Sequence, residues 1–244
     1  MIPFRSAFLL AFALAAAPAA AQSQPRAVVE LFTSQGCSSC PPADALLSEL
    51  AKDPDIIALT MPVDYWDYIG WKDTLALHGH SMRQKAYADR RADHKVFTPQ
   101  AIIDGVVAVK GSDKPALQRA LLERGTAPRG LPVALKLERA GENLEIEASP
   151  AAVPPEGAEF WACPVARSKT VAIGRGENGG RSVTYSNVVR GWVKIGRWDG
   201  SSSRLHIKIA SLEREDADAV VILLQAGSPA APGPILGAAT FPLK

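Results

Sequence analysis

Two cysteines three positions apart, Cys37 and Cys40, are the residues whose type and spacing most clearly predict chemistry. An apolar run that reads as a strand precedes them, and residues 43–50 follow with the apolar pattern of a helix. A thiol at a helix N-terminus faces unpaired backbone N–H groups and the positive end of the helix dipole, which lower its pKa. This setting favours disulfide exchange over the other common use of such a pair, metal binding.

Two alternatives remain open for the cysteine pair. His94 lies just upstream of Thr98 and Pro99, so a site of Cys37, Cys40 and His94 would suit a soft metal such as copper(I). No second cysteine pair or close histidine pair completes a four-ligand zinc site. The other alternative is a binding module without catalysis. The leading interpretation requires no metal and no cofactor.

The N-terminus predicts export. Arg5 precedes an apolar stretch over residues 7–17, and the small residues that follow it predict cleavage before Gln22. Residues 1–21 therefore read as a signal peptide, and no later segment has the apolar length of a membrane span. We expect a periplasmic or secreted protein that is not embedded in the membrane after cleavage, in a compartment where disulfides persist.

Composition excludes a nucleic-acid partner. The formal net charge is +2, and losing Arg5 with the signal peptide lowers it to +1. The basic residues are dispersed rather than grouped in a patch. Three cysteines are too few for a disulfide scaffold, and the third, Cys163, sits in an apolar run typical of a buried core residue.

The first half of the chain alternates strand and helix patterns. The predicted strands are residues 28–33, 56–63, 96–103 and 106–110, and the predicted helices are residues 43–52, 75–91 and 114–124. Asp104-Gly105, between the last two strands, is typical of a tight hairpin turn.

In this order, with CxxC after the first strand, residues 26–125 resemble the thioredoxin superfamily. Residues 29–40 resemble the glutaredoxin form of the strand and loop, and Thr98-Pro99 resembles the cis-proline position of the superfamily. The resemblance implies that Pro99 packs against the disulfide and that the backbone of Thr98 docks a peptide substrate. A cis X-Pro bond is rare without such a structural reason.

A narrower resemblance rests on two segments, FTSQGCSSCPPAD at residues 32–44 and Thr-Pro-Gln at residues 98–100. Both are similar to those of an uncharacterised family of secreted bacterial thioredoxin-like proteins with a β-rich C-terminal part. This resemblance implies a fold and a compartment but no particular reaction. Ser38 and Ser39 lack the His or Pro found between the cysteines of well-studied oxidoreductases.

Two carboxylates near the cysteine motif have different predicted roles. Glu30, on the first strand, is a candidate to relay protons to Cys40 if it is buried under the motif, and a solvated surface acid if it is not. Asp44 reads as a helix-start carboxylate that the dipole stabilises.

An aromatic segment follows the second strand at residues 64–71. Loops at the carboxyl ends of neighbouring parallel strands border the same site, so these rings are expected near the cysteines. Tyr65, Trp66 and Tyr68 are the candidates for an apolar shelf that binds substrate, whereas Trp71 is expected to cover the core.

Beyond a linker predicted at residues 128–132 the pattern changes to short alternating strands. They predict an all-β sandwich over residues 133–244, which follows an α/β thioredoxin-like domain over residues 22–127. The glycine-rich stretch at residues 174–180 has no helix after it, so a flexible hairpin loop is favoured over a phosphate-binding loop.

The function expected from the sequence is thiol–disulfide exchange with periplasmic thiol or disulfide proteins, or with small thiols. Cys37, expected nearer the surface, would react with the partner, and Cys40 would resolve the mixed disulfide from inside.

Overall fold

The computed structural model describes residues 24–125 and 130–244. The predicted signal peptide lies outside the described residues, as do the first two residues of the predicted linker. None of the helices in the described ranges is long and apolar enough to cross a membrane.

Strands make up 42% of the described residues, against three α-helices. The helices are α1 (Pro41–Leu50), α2 (His78–Arg90) and α3 (Lys114–Gly125). The strands are β1 (Ala27–Thr33), β2 (Ile56–Pro62), β3 (Gln100–Ile103), β4 (Val107–Lys110), β5 (Leu135–Ala140), β6 (Asn143–Ala148), β7 (Ala158–Ala172), β8 (Ser182–Val189), β9 (Val193–Trp198), β10 (Ser203–Lys208), β11 (Ala219–Ser228) and β12 (Ala231–Pro242).

Nine strands form one mixed sheet, ordered β12-β11-β7-β8-β2-β1-β3-β4, with β9 also paired to β7. Strands β1 and β2 are parallel, β3 runs antiparallel to β1, and β4 runs antiparallel to β3. Strands β10, β6 and β5 form a second, three-stranded sheet.

The prediction of an α/β thioredoxin-like domain followed by a separate all-β sandwich is therefore wrong. The large sheet continues from strands of the first half into strands of the second, because β8 runs parallel to β2 at Thr60 and Val188. Two side chains strengthen this junction. Thr60 Oγ1 donates to Ser186 O at 2.6 Å, and Asn187 Nδ2 donates to Ala58 O at 2.9 Å. Alternating patterns predict strands but do not determine which strands pair.

Three of the four buried apolar clusters among the described residues hold these layers together. One lies between β1 and helices α1 and α3, and contains Val29, Leu31 and Leu47. A second covers the opposite face of the sheet and includes Phe32 of β1 and Tyr87 of α2. The third fills the space between the large and small sheets.

Side-chain alternation explains why β1 is buried along its whole length: odd-numbered residues face α1 and even-numbered residues face α2. The β3–β4 turn confirms the hairpin that Asp104-Gly105 predicts. Both residues have positive φ, 49° and 71°, and Val106 N donates to Ile103 O.

Candidate functional site

The cysteine motif lies between the end of β1 and the start of α1, and Cys37 and Cys40 form a disulfide. Cys40 occupies the N-cap position of α1, and its carbonyl accepts bonds from Ala43 N and Asp44 N. Pro41 and Pro42 fill the first two helical positions, where backbone N–H groups have no helical partner, so they are compatible with a regular helix start.

Pro99 lies beside this helix start. The Thr98–Pro99 bond is cis, as the sequence predicted, and it immediately precedes β3, the antiparallel partner of β1. Gly111 N donates to Pro99 O at 2.9 Å. A Cβ placed on Gly111 would lie 3.3 Å from Pro99 Cβ and 3.3 Å from Ala43 Cβ, so only a glycine leaves room for Pro99 and α1 to approach here.

The aromatic segment meets the site through Trp66. Its indole Nε1 donates to Thr98 Oγ1 at 2.7 Å. A Cβ added at Gly36 would lie 3.3 Å from the Cβ of Trp66, so Trp66 packs closely against this glycine. Trp66 therefore joins the predicted docking residue Thr98 to the loop that carries the cysteines.

The other two shelf candidates differ from each other. The Tyr65 hydroxyl donates to Gln84 Oε1 at 3.0 Å, and burial raises the pKa of Tyr65 to about 12. Tyr68 is 81% exposed. Of the three, Tyr68 is thus the ring most available to a partner.

Both cysteines are buried, with exposures of 1% for Cys37 and 0% for Cys40. These exposures do not distinguish Cys37 from Cys40 as the residue nearer the surface; the two serines between the cysteines are exposed. Cys37 Sγ lies 3.4 Å from Ser39 Oγ.

A residue of the second half contacts the motif directly, which the sequence analysis missed. Asn178, in the β7–β8 hairpin loop, is 1% exposed and donates through Nδ2 to Cys37 O at 2.8 Å and to Gln35 O at 3.0 Å. Its Oδ1 is buried without a partner among the described residues. In the sequence, the only indication of this contact is a single asparagine within the glycine-rich stretch at residues 174–180.

Trp71 lies between this loop and the motif. Its Nε1 donates to Gln35 Oε1 at 2.7 Å, and a Cβ on Gly174 would lie 2.9 Å from the Trp71 ring. The prediction that Trp71 covers apolar core is therefore incomplete, because this ring also connects Gln35 to the hairpin loop.

Two buried acids lie close to the motif: Asp73 accepts from Gln35 N at 2.8 Å, and Asp44 is in the first turn of α1. Asp44 lies one helical turn after Cys40, is 4% exposed, and accepts a 2.7 Å bond from Thr33 Oγ1 at Oδ1. Its Oδ2 is buried without a partner in the described ranges.

Burial raises the pKa of Asp44 to about 7; the Thr33 bond opposes this shift and the charge of Asp73 adds to it. Asp44 lies in the first turn of α1, as the sequence predicts, but burial raises its pKa, whereas stabilisation by the dipole alone would lower it. A carboxyl with this pKa exchanges its proton near neutral pH.

Glu30 lies on the opposite face of β1, toward α2. Its carboxylate, 0% exposed, accepts bonds from Arg83 Nε at 2.7 Å and from the Tyr87 hydroxyl at 2.6 Å. Arg83 also donates to Gln225 Oε1 and lies 4.3 Å from the centroid of the Trp192 ring. The structure therefore places Glu30 in an ion pair on the other side of the sheet and does not bring it under the motif.

The metal alternative finds no supporting geometry. Within the described ranges, no group of three or more His, Cys, Asp or Glu side chains is arranged to hold a metal ion. His94 is an exposed residue with a positive φ of 48° after α2.

The chemistry available here is sulfur exchange coupled to a proton. A disulfide, a neighbouring carboxyl with a pKa of about 7, and a proline beside the helix start lie together. The rate of exchange at a disulfide depends on thiolate formation and on access to the sulfur.

Comparison with known proteins gives a family and a fold without an activity. Residues 28–225 match the model of a family described as "Protein of unknown function (DUF1223)". No curated protein matches this chain.

Two solved structures are similar. A crystal structure of a protein from Agrobacterium tumefaciens has a TM-score of 0.80 at 32% identity, covering 91% of this chain and 96% of that one. The structure titled HBP35 of Porphyromonas gingivalis has a TM-score of 0.58 at 12% identity, covering 90% of this chain and 75% of that one, and shows a similar fold only.

Proposed function

Starting from the finding that the chain belongs to the DUF1223 family, whose function is unknown, we propose that it is a thiol–disulfide oxidoreductase that uses Cys37 and Cys40. One observation carries the proposal: the disulfide at the start of α1 lies one helical turn from Asp44, a buried carboxyl with a pKa of about 7. A purely structural disulfide has no need of a proton donor beside it.

The reaction proposed is reduction of the protein disulfide by a dithiol substrate. A substrate thiolate attacks the sulfur of Cys37, a substrate–Cys37 disulfide forms, and the Cys37–Cys40 bond breaks. Asp44 gives its proton to the leaving Cys40 thiolate. The second substrate thiolate then attacks the substrate sulfur of the mixed disulfide, so that the substrate becomes a disulfide and Cys37 leaves as a thiolate.

The reverse sequence oxidises the protein while it reduces a substrate disulfide. In that direction ionised Asp44 accepts the proton of the Cys40 thiol, and Cys40 attacks Cys37 in the mixed disulfide. Asp44 serves both directions because its pKa lies near 7, where the protonated and ionised forms are both populated.

Pro99 and Thr98 supply the substrate surface in this proposal. Pro99 lies beside the start of α1, and Trp66 fixes the Thr98 hydroxyl, which leaves the Thr98 backbone available for docking. Exposed Tyr68 adds an aromatic contact at the rim. The local resemblance of these residues to the thioredoxin superfamily supports the same assignment.

The compartment proposed is the periplasm or the exterior of the cell, with thiol or disulfide proteins or small thiols as partners. The apolar leader at residues 7–17 supports export, and an oxidising space supports the disulfide.

Covalent trapping tests the proposal. In Cys40→Ser the mixed disulfide on Cys37 has no resolving thiol, so disulfide-linked partners should accumulate on non-reducing gels of cell extracts. Cys37→Ser should trap few or none, and Cys163→Ala is the matched control because the third cysteine is fully buried. Equal trapping by the two serine variants would refute the assigned order.

A second candidate function has one observation in its favour. Both cysteines are buried, which is typical of a structural disulfide in a binding module without catalysis. That function predicts no trapping by either serine variant and no reduction of a model disulfide, together with a loss of stability when the native protein is reduced.

A further inference from the structure

We propose that the β7–β8 loop, residues 174–180, is a removable cover over the disulfide. The side chain of Asn178 is the latch, meaning the group whose hydrogen bonds hold the cover closed. This latch makes the site selective for cysteine-containing peptides over small thiols that lack amide groups. This inference rests on the proposed function, because it names the partner class and the access route of the same site. The loop belongs to the second half of the chain, in which the sequence shows no catalytic residues.

The latch consists of two hydrogen bonds from one side chain. Asn178 Nδ2 donates to Gln35 O and Cys37 O, the carbonyls on either side of Gly36. Cys37 O also accepts from Cys40 N at 3.1 Å, whereas Asn178 is the hydrogen-bond donor recorded at Gln35 O among the described residues. Asn178 therefore holds the backbone that carries the attacked sulfur.

Apart from this latch, the backbone hydrogen bonds of the loop are internal to the hairpin: Gly179 N donates to Gly176 O and Gly180 N donates to Ile173 O. On the motif side, a Cβ added at Gly174 would lie 2.9 Å from the Trp71 ring, and one added at Gly176 would lie 3.3 Å from Trp71 Cβ. The six other residues of the segment are all exposed, including Arg175 and Glu177. Asn178 Oδ1 is buried with no donor recorded among the described residues, so the closed position also leaves one polar atom unsatisfied.

The closed arrangement opposes exchange. An attacking sulfur must reach a disulfide sulfur directly, but Cys37 is 1% exposed and Cys40 0%. Movement of the loop removes Asn178 from the motif and leaves Gln35 O without its partner. The conformational freedom of Gly174, Gly176, Gly179 and Gly180 makes the loop the part of this cover best able to move.

The partner that best replaces the latch has backbone N–H groups next to its thiol. An extended peptide can donate to Gln35 O and Cys37 O in place of Asn178 Nδ2, so that opening leaves no carbonyl unsatisfied. 2-Mercaptoethanol has no amide N–H and only one hydroxyl donor, so it cannot replace both hydrogen bonds of the latch. Asn178 thus acts as a specificity-determining residue that a peptide displaces and a simple thiol displaces poorly.

The experiment compares two reductants on the oxidised full chain. One is N-acetyl-Gly-Cys-Gly-amide and the other 2-mercaptoethanol, with rates corrected to equal thiolate concentration and followed by alkylation and mass spectrometry. In the natural protein the peptide should react faster. In Asn178→Ala the rate with 2-mercaptoethanol should rise about tenfold, as loss of one to two net hydrogen bonds predicts, and the ratio of the two rates should fall toward one.

Asn178→Asp is the second variant, since it keeps the side-chain volume while removing both N–H donors, and it should change the rates in the same direction. Asn143→Ala is the matched control, because Asn143 lies in β6 of the small sheet. Circular dichroism before reduction identifies any variant that has not folded, and the folded one of the two Asn178 variants then decides the result.

Unchanged rates in a folded Asn178 variant, or a rate ratio equal to that of the natural protein, would overturn the latch. Failure of the proposed function is a separate outcome: Cys40→Ser would trap nothing although Asn178→Ala still accelerated reduction. Conversely, trapping with no effect of Asn178 would retain the oxidoreductase and reject the cover.

Discussion

Each face of β1 buries a carboxyl group, but only one of the two groups has a cation as its partner. On the α2 face, Glu30 is bonded to Arg83 and Tyr87. On the α1 face, Asp44 meets Thr33 through one oxygen, and its other oxygen has no partner in the part of the chain that is described. The two acids are similarly buried, so burial alone does not determine their behaviour.

The difference shows which acid is suited to proton transfer. Glu30 has a buried cation as its partner, and the pair joins β1, α2 and β11 into one network. A buried carboxyl without a cation gains a proton near neutral pH, which makes it a candidate acid or base. The face with the matched charges stabilises the fold, and the face with the unmatched carboxyl carries the proposed chemistry.

The largest expected effect comes from breaking the paired face. Arg83→Met leaves Glu30 buried without its cation, and should reduce the free energy of unfolding by about 3–5 kcal/mol in urea titrations. Arg26→Ala is the control, because the Arg26–Asp53 pair is exposed and should contribute less than about 1 kcal/mol. A loss for Arg83→Met no greater than that of the control would show that the two faces do not differ in this way.

The next effect concerns the unpaired face and its pH dependence. The pKa of Asp44 rises from 3.8 to about 7 on folding, so the stabilising contribution of its protonated form is complete below pH 3.8 and is lost as pH rises through 7. Asp44→Asn should therefore be the more stable protein above pH 7, by up to about 4 kcal/mol at 1.36 kcal/mol per pH unit.

Urea titrations of both proteins between pH 4 and pH 8 measure this difference. Stability curves that stay parallel across the range would contradict an Asp44 pKa near 7. In the same variant, thiol–disulfide exchange should slow by a factor of about 10² and lose its dependence on a group titrating near pH 7. Slower exchange without any change of pH profile would indicate a structural role for Asp44.

The smallest expected effect comes from removing the hydrogen bond that Thr33 donates to one of the two carboxyl oxygens of Asp44. Thr33→Val removes the hydrogen bond that lowers the Asp44 pKa, so the pKa should rise above 7 and stability at pH 8 should fall by about 1 kcal/mol. Carbon-13 NMR of the Asp44 carboxyl measures its titration directly. Thr170→Val, at an exposed strand position, serves as the control and should leave that titration unchanged.

Local patterns predicted much of the site correctly. Residues Val29, Leu31 and Leu47 have the spacing that makes a strand followed by a helix, which positions the cysteines between them. The turn at Asp104 was predicted from two adjacent residues, whereas the cis bond at Pro99 was predicted from the resemblance to the thioredoxin superfamily. The roles of Glu30 and Asp44 were not, since a strand buried on both faces gives no sign of which face carries a cation.

The sequence by itself determined where the two cysteines sit and where most strands and helices lie, although it did not predict β9. The cis bond at Pro99 was predicted through the resemblance to the thioredoxin superfamily. The tertiary structure alone decided that the strands of both halves form one sheet, through the pairing of β2 with β8. It also decided that Arg83 pairs with Glu30, that Asp44 has no cation, and that Asn178 reaches Cys37 from 141 positions away. The physical reason is range: propensities and turns act between neighbours in the chain, whereas charge pairing, burial and strand order depend on residues that only folding brings together.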